Sequence, residues 1–183
     1  MNIKKEKNKI RDDIMKQNWA LPKEYTLEAD KKIYEKIINI KEYKEASTIF
    51  CFVNTEDEIN TRNIIENALE SGKRVGVPKC IGKGIMGVYE IKGYSSLKDG
   101  KYGILEPKEG CPLIKSEEID FAIIPCVSCN REGYRLGYGG GYYDRYLENA
   151  NFATAVICRE AIICDYIPHD ENDIKIQMVI TDK

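Results

Sequence analysis

The sequence predicts an α/β protein, a layered α/β/α arrangement with a mostly parallel central sheet, on three observations. Apolar, β-branched segments of strand length alternate with segments of helical periodicity along most of the 183 residues. The strand segments are apolar at consecutive positions, which is typical of parallel strands buried on both faces. No internal repeat or low-complexity linker interrupts the alternation, so we expect a single domain over residues 1–183.

Three helices are predicted in the amino-terminal part of the chain. The first covers residues 3–18, where isoleucines recur at helical spacing among charged residues. The second begins at Thr26, a suitable N-cap, and ends near Ile38. The third begins after Thr61 and ends at Gly72, because glycine commonly terminates helices.

The predicted strands are short apolar runs bounded by polar or glycine residues. They cover residues 47–53, 74–78, 86–91, 119–125, 153–158 and 176–181. The glycine- and lysine-rich segment 82–112 is expected to hold loops around one or two antiparallel strands. A further short helix is expected through Tyr146 and Leu147.

The composition is that of an ordinary soluble protein and excludes some classes of partner. Apolar residues make up 43% of the chain and the formal net charge is −2, so no overall charge favours nucleic acid or a membrane surface. No apolar run approaches the roughly 20 residues of a membrane span, and the basic amino terminus lacks the apolar stretch of a secretory signal. We therefore expect a cytoplasmic protein that binds neither nucleic acid nor membrane.

The segment RLGYGGGYYD, residues 135–144, is the most unusual stretch of the sequence. It is not a Walker A loop, because no Gly-Lys-Ser/Thr closes it, and the dinucleotide fingerprint would need a glycine at Tyr142. Its glycines leave backbone amides open to an anion, and it follows the strand ending at Pro125, where ligands collect in α/β sheets. Arg135 suits a bidentate phosphate contact, and Asp144 offers a hard oxygen ligand for Mg2+. The structural alternative is a tight turn with tyrosines packed beneath it.

Three other segments offer charged candidates, each with a simple structural alternative. Lys7 and Arg11 lie four residues apart and share one helix face, either as a solvated surface or as a second clamp on a polyphosphate. Glu58, in the segment EDEINT, either belongs to an ordinary acidic loop or holds a polar group of a substrate. The segment PHDENDIK, residues 168–175, is either an exposed acidic loop or the source of a carboxylate that joins Asp144 on a metal.

The seven cysteines, an odd number without a signal peptide, indicate reduced thiols. Cys126 and Cys129 have the spacing of a zinc or redox motif. Neither a second cysteine pair, nor a histidine cluster, nor an evident helix start accompanies them, so we favour structural thiols.

These motifs and their order resemble the 5-formyltetrahydrofolate cyclo-ligase family, and the resemblance covers essentially the whole chain. RLGYGGGYYDRYL matches the family signature closely. The other matching elements are KNKIR at 7–11, EINT at 58–61, VPK at 77–79 and a carboxyl-terminal aspartate before an Ile- and Val-rich strand that ends in Thr. The implied fold is the layered α/β type shared with sugar-phosphate isomerases and CoA transferases.

The resemblance implies an ATP- and Mg2+-dependent ligase that cyclises 5-formyltetrahydrofolate to 5,10-methenyltetrahydrofolate. ADP and phosphate would be released, and a phosphorylated formyl group, an imidate phosphate, would be the intermediate. Its partners would be a reduced folate and ATP as co-substrate, with Mg2+ as cofactor. We expect the protein to act as a monomer.

The resemblance also implies the site residues. Those for ATP are Lys7, Asn8, Lys9, Ile10, Arg11, Arg135, Leu136, Gly137, Tyr138, Gly139, Gly140, Gly141, Tyr142 and Tyr143. Those for the folate are Val53, Glu58, Tyr138, Gly139, Gly140, Gly141 and Tyr142. Arg135 and Asp144 would be catalytic, Asp144 and Asp173 would hold Mg2+, and Lys79 would be a further positive group near the phosphates.

One departure from the family pattern concerns the second metal ligand, for which Asp170 and Asp173 compete. Counting forward from Pro168 and back from the final strand favours Asp173. Gln177 stands where an acidic residue is common in the family.

Two other functions remain open on the residues alone. A sugar-phosphate isomerase would bind one phosphate in the glycine loop and need no ATP. A nucleic-acid-binding module would stack bases on the tyrosines, although the basic residues are dispersed and the chain is slightly acidic.

Overall fold

Seven strands form the central sheet of the computed structural model, which describes residues 2–183. The helices are α1 (Ile3–Trp19), α2 (Lys23–Asn39), α3 (Lys41–Glu45), α4 (Arg62–Glu70) and α5 (Tyr142–Leu147). The strands are β1 (Thr48–Cys51), β2 (Arg74–Gly82), β3 (Ile85–Ile91), β4 (Leu97–Asp99), β5 (Leu105–Pro107), β6 (Leu113–Ile114), β7 (Phe121–Ile124), β8 (Ser128–Cys129), β9 (Arg135–Leu136), β10 (Ala153–Ile157) and β11 (Met178–Ile180).

The central sheet has the strand order β11-β10-β7-β1-β2-β3-β6. The five strands from β11 to β2 are mutually parallel, whereas β3 runs antiparallel to β2 and β6 antiparallel to β3. Two small antiparallel sheets, β4-β5 and β8-β9, lie beside it. The mostly parallel sheet predicted from the sequence is thus confirmed, including antiparallel strands within the segment 82–112.

Both faces of the sheet are covered by helices, because its strands alternate apolar side chains between the two faces. Ile49 of β1 belongs to the same apolar cluster as Ile33 of α2 and Ile64 of α4. Phe50, the next residue, points to the opposite face and clusters with Ile14 of α1 and Leu147 of α5. Burying each such side chain contributes about 1.5–3 kcal/mol, so the two clusters hold the predicted α/β/α layers together.

The structure places some element ends differently from the sequence prediction. Helix α2 begins at Lys23, with Pro22 at the N-cap, because proline needs no amide partner at a helix start. The hydroxyl of Thr26, the predicted cap, instead donates to the carbonyl of Lys23 at 2.9 Å. Thr61 does occupy the N-cap position of α4, but its buried hydroxyl donates to the carbonyl of Phe52 at 2.8 Å rather than capping the helix.

The β8-β9 hairpin was not predicted, and it determines where the glycine-rich segment lies. It separates that segment from the end of β7, and Val127 donates to the carbonyl of Leu136 at 2.7 Å across it. Gly133 turns the chain at the hairpin tip with a left-handed φ of 96°. Among residues 2–183, no helix combines the length and apolar content that crossing a bilayer requires.

Candidate active site at the glycine-rich loop

The glycine-rich loop, residues 137–141, runs from β9 into α5. Gly139 and Gly141 have left-handed φ angles of 98° and 66°, and Gly141 is the residue before the first turn of α5. Only glycine adopts these angles without strain. Helix α5 has just six residues, so attraction of an anion to this loop depends on its open amides and on nearby cations more than on a helix dipole.

Arg135 and Asp144, the two ends of the signature segment, form an ion pair beneath the loop. Nη2 of Arg135 donates to Oδ1 of Asp144 at 2.9 Å, and the Arg135 side chain is only 4% exposed. Its Nε is buried without a hydrogen-bond partner among the described residues. The predicted bidentate contact of Arg135 with phosphate therefore requires this ion pair to rearrange, and in the present geometry Arg135 holds the carboxylate.

Asp173 lies beside Asp144 although 29 positions separate them in the sequence. The amide of Ile174, the residue after Asp173, donates to Oδ1 of Asp144 at 3.1 Å. Lys7 of α1 donates to both carboxylate oxygens of Asp173, at 2.5 and 2.6 Å. The Arg135–Asp144 and Lys7–Asp173 ion pairs are thus linked through the backbone at residues 173–174, near the loop.

The carboxylate of Asp170, the competing candidate for the second metal ligand, bonds within its own loop, while the Asp170 amide donates to Oδ2 of Asp173 at 2.8 Å. Its Oδ1 accepts from the backbone amide and side chain of Asn172, at 2.9 and 3.1 Å, and the residue is exposed. These bonds lower the pKa of the Asp170 carboxyl. Asp173, and not Asp170, is the partner of Lys7, and its role as the second metal ligand stays a prediction.

Arg11 of α1 is bound directly to the glycine-rich loop. Its Nε donates to the carbonyl of Gly137 at 2.6 Å, and its Nη1 donates to Oδ1 of Asn8 at 2.5 Å. Burial lowers the pKa of the Arg11 guanidinium, with Asp12 and Asp173 opposing that shift. Lys7 and Arg11 therefore do face the site together, as their spacing predicts, whereas Lys9 is exposed and Ile10 packs against the apolar layer.

The predicted ATP-binding side chains of the signature segment divide between core and surface. Leu136 is fully buried, and the Tyr143 ring stacks on Phe50 with centroids 5.9 Å apart. Tyr138 is 58% exposed. Tyr143 thus packs beneath the turn, as the structural alternative predicted. A ligand would therefore meet the loop amides rather than the side chains of Leu136 and Tyr143.

Glu58 and Tyr138 line one cavity of about 80 Å3, on the side of the loop where α1 ends. Oε2 of Glu58 accepts from the amide and hydroxyl of Thr55, at 2.8 and 3.2 Å. Trp19, 60% exposed, lines the same cavity. Val53, the other predicted folate residue of this region, is 3% exposed and packs in the core.

Arg159 is a functional candidate that the sequence did not single out. It follows β10 and is buried, and its guanidinium donates to the carbonyls of Asp57 and Glu58 at 3.3 and 3.2 Å. It also bonds Oδ1 of Asn18 at 2.9 Å and the carboxylate of Asp30. The one feature of the sequence that could have pointed to Arg159 is its position, as a charged residue just after the carboxyl end of a parallel strand.

Arg145 is a second residue that the sequence analysis did not identify. It donates to the carbonyl of Gly84 at 2.7 Å and to the carbonyl of Gly140, and so ties the loop to the turn between β2 and β3. Lys79 donates to the carbonyl of Pro107 at 3.2 Å, and its place near the phosphates stays a prediction.

Comparison with known proteins gives one consistent result. The sequence model of the family described as the 5-formyltetrahydrofolate cyclo-ligase family matches residues 3–182. The chain is 32% identical to a probable 5-formyltetrahydrofolate cyclo-ligase of Schizosaccharomyces pombe, over 81% of each chain. It is 30% identical to a probable one of Caenorhabditis elegans, over 97% of this chain and 93% of the relative. The NMR structure of 5,10-methenyltetrahydrofolate synthetase from Aquifex aeolicus matches with a TM-score of 0.85 and 26% identity, covering 97% of this chain and 90% of that one.

Proposed function

The chain belongs to the 5-formyltetrahydrofolate cyclo-ligase family, and on that premise we propose that it cyclises 5-formyltetrahydrofolate to 5,10-methenyltetrahydrofolate at the expense of ATP. Family membership confirms the coarser prediction of an enzyme of this class. The finer proposal depends on one observation: the Arg135–Asp144 and Lys7–Asp173 ion pairs are joined through the amide of Ile174, and Arg11 binds the glycine-rich loop beside them.

The proposed ATP site is the loop together with those cations. Lys7, Arg11 and Arg135 supply three positive charges against the two carboxylates, which leaves one positive charge in excess. A triphosphate brings several negative charges, which the open loop amides and the excess positive charge would stabilise. The buried Nε of Arg135, which has no partner within residues 2–183, is a further donor in this region.

Asp144 and Asp173 would hold Mg2+, and their chemistry fits that ion. Mg2+ is usually bound by one or two carboxylates together with phosphate oxygens and water. Each carboxylate is now paired with a cation of the chain, Arg135 or Lys7. Phosphate oxygens are alternative partners for those cations, so nucleotide binding would free the carboxylates. When bound, Mg2+ would neutralise negative charge on the phosphoryl oxygens.

The proposed folate site is the cavity lined by Glu58 and Tyr138. The second oxygen of the Glu58 carboxylate would accept from a polar N–H group of the substrate, since Thr55 occupies only Oε2, and the Tyr138 hydroxyl that also bonds this carboxylate would give way. A cavity of about 80 Å3 is smaller than a folate. The exposed rings of Trp19 and Tyr138 at its rim would therefore shift outward as the substrate enters, and both could then stack on it.

The chemistry asks the protein mainly for positioning and charge stabilisation. The formyl oxygen attacks the γ-phosphorus of ATP, the bond to ADP breaks, and an imidate phosphate forms. N10 of the folate then adds to the activated carbon, and loss of phosphate with the N10 proton leaves the methenyl bridge. No side-chain nucleophile takes part, so the site needs cations and amides around the phosphate and a cavity that holds the bound folate in position.

An absorbance assay tests this proposal. The full chain is mixed with 5-formyltetrahydrofolate, ATP and Mg2+, and the near-ultraviolet absorbance of the methenyl product is followed. We expect product only when ATP is present, and we expect Asp144→Asn to lose at least about a hundredfold in kcat, the scale seen when a transition-state charge contact is removed. Asp165→Asn, at an exposed aspartate, is the matched control and should keep wild-type activity. Product formation without ATP, or none from folded wild-type protein with mono- or polyglutamate substrate, contradicts the proposal.

A further inference from the structure

Three cysteines converge in space at the carboxyl ends of β7 and β10. Cys126 follows β7, Cys129 ends β8, and Cys158 follows β10. Their Sγ atoms all lie within 4.8 Å of one another. Within residues 2–183 this is the one group of three or more cysteine, histidine or acidic side chains placed so closely.

The cluster is buried but has a path to solvent. Cys129 and Cys158 are buried, whereas Cys126 is partly exposed. Cys126 and Cys158 also line the cavity that contains Glu58 and Tyr138. The thiols of Cys126 and Cys158 donate weakly to the carbonyls of Ile157 at 3.4 Å and Arg159 at 3.5 Å, and the three thiols also bond one another. A small cation entering the cavity can therefore meet sulfur atoms without first breaking strong bonds.

We propose that Cys126, Cys129 and Cys158 form a binding site for one thiophilic d10 cation, Zn2+. Sulfurs bound tetrahedrally at about 2.3 Å from zinc lie roughly 3.8 Å from each other, so the three need to approach by at most about 1 Å. Three protein ligands with the fourth position open is the arrangement of a zinc ion that exchanges an external ligand. Because Cys126 and Cys158 line the cavity, the open position would be reached from it.

The site goes beyond the proposed cyclisation and is separate from the oxygen-rich Mg2+ site. Thiolates are soft ligands that select zinc or copper(I), whereas Asp144 and Asp173 offer hard oxygens. Binding requires only that the thiols release their protons to solvent as the metal enters. A failure of the cyclisation assay would therefore leave this proposal untouched, and the reverse also holds.

A metal titration of the reduced, metal-free full chain tests the site directly. Co2+ serves as the spectroscopic probe, because sulfur-to-cobalt charge transfer and tetrahedral coordination both give intense absorption. We expect one equivalent of Co2+ to bind with these bands and one equivalent of Zn2+ to abolish them. Cys126→Ser and Cys158→Ser should each lose the charge-transfer intensity. Each should also weaken metal binding by at least about a hundredfold, because losing even a hydrogen-bond partner of a ligand costs up to about a hundredfold. Cys80→Ser, at an exposed cysteine outside the cluster, should behave as wild type.

Folding must be separated from ligation, since Cys158 is buried. Because Cys126 is partly exposed, the metal-free Cys126→Ser protein should have the same circular dichroism spectrum as the wild type. The proposal is overturned if Co2+ gives only the weak spectrum of an octahedral oxygen site, or if both serine variants bind as tightly as Cys80→Ser. It is also overturned if the reduced protein takes up no metal and mild oxidation merely joins two of the three cysteines in a disulfide.

Discussion

Arg159 and Asp30 form a two-point ion pair, with Nε to Oδ1 at 2.9 Å and Nη2 to Oδ2 at 3.0 Å. Both side chains are largely buried, at 6% and 13% exposure. The same guanidinium holds the carbonyls of Asp57 and Glu58, and Asp30 accepts from the amide of Asn60 at 3.0 Å. The pair therefore fixes the backbone of the loop that presents the Glu58 carboxylate.

Asp30→Asn should destabilise the protein and loosen the Glu58 loop. Removing one partner of a buried pair leaves an uncompensated charge, and because an amide oxygen can still accept one bond we expect a loss of about 2–3 kcal/mol, below the full range for such pairs. The KM for folate should rise more than kcat falls. Denaturant unfolding and steady-state kinetics measure the two effects. Glu28→Gln, in an exposed pair on the same helix, is the control, and an equal effect of both changes contradicts this role.

Lys7→Met should weaken ATP binding while leaving folate binding unchanged. A charge-assisted hydrogen bond contributes about 1.5–3 kcal/mol, which corresponds to roughly a tenfold to hundredfold rise in the KM for ATP. Lys5→Gln, an exposed lysine of the same helix, should have no such effect. An unchanged KM for ATP in Lys7→Met would remove Lys7 from the nucleotide site.

Gly139→Ala tests whether the loop backbone meets a ligand. Gly139 and Gly110 have similar left-handed angles, 98° and 92°, so alanine at either should cost about 1–2 kcal/mol of stability. Only Gly139 lies by Arg11, whose Cζ would be 3.6 Å from the added Cβ. We expect Gly139→Ala alone to lower kcat/KM for ATP. Equal kinetic constants in the two variants would indicate that Gly139 is needed only for the backbone conformation of the turn and not for contact with a ligand.

Glu90 should make the protein less stable in acid. Hydrogen bonds from Lys92 and then Arg74 lower the pKa of this carboxyl below its unfolded value of 4.5. A depressed folded pKa means that its stabilising contribution is present above pH 4.5 and is lost as the pH falls toward the folded pKa. Wild-type protein should therefore lose more unfolding free energy than Glu90→Gln on acidification through that window. Parallel stability–pH curves for the two proteins would rule this out.

The fold and part of the site could be predicted because their signals are local. The apolar strand runs gave the parallel sheet, and Arg135, the glycines and Asp144 lie within ten residues. The β8-β9 hairpin could not be predicted from the sequence, because its strands have only two residues each and form through tertiary packing rather than from an alternating apolar pattern.

The remaining site residues meet only through the tertiary fold. Arg159 and Asp30 are 129 positions apart, and neither belongs to a motif. The thiol of Cys158 joins Cys126 and Cys129 from a different strand. The prediction of structural thiols considered only the Cys126–Cys129 pair, whereas the fold brings three cysteines together. A single sequence contains no periodic signal for such contacts.

The most direct test of the proposed function follows the formyl oxygen. 5-Formyltetrahydrofolate labelled with oxygen-18 in the formyl group is converted by the full chain with ATP and Mg2+, and the released phosphate is analysed by mass spectrometry. We predict one labelled oxygen in the phosphate for each methenyl product, because the formyl oxygen leaves bonded to phosphorus. Label in water, with unlabelled phosphate, would contradict the proposed phosphoryl transfer to the formyl group.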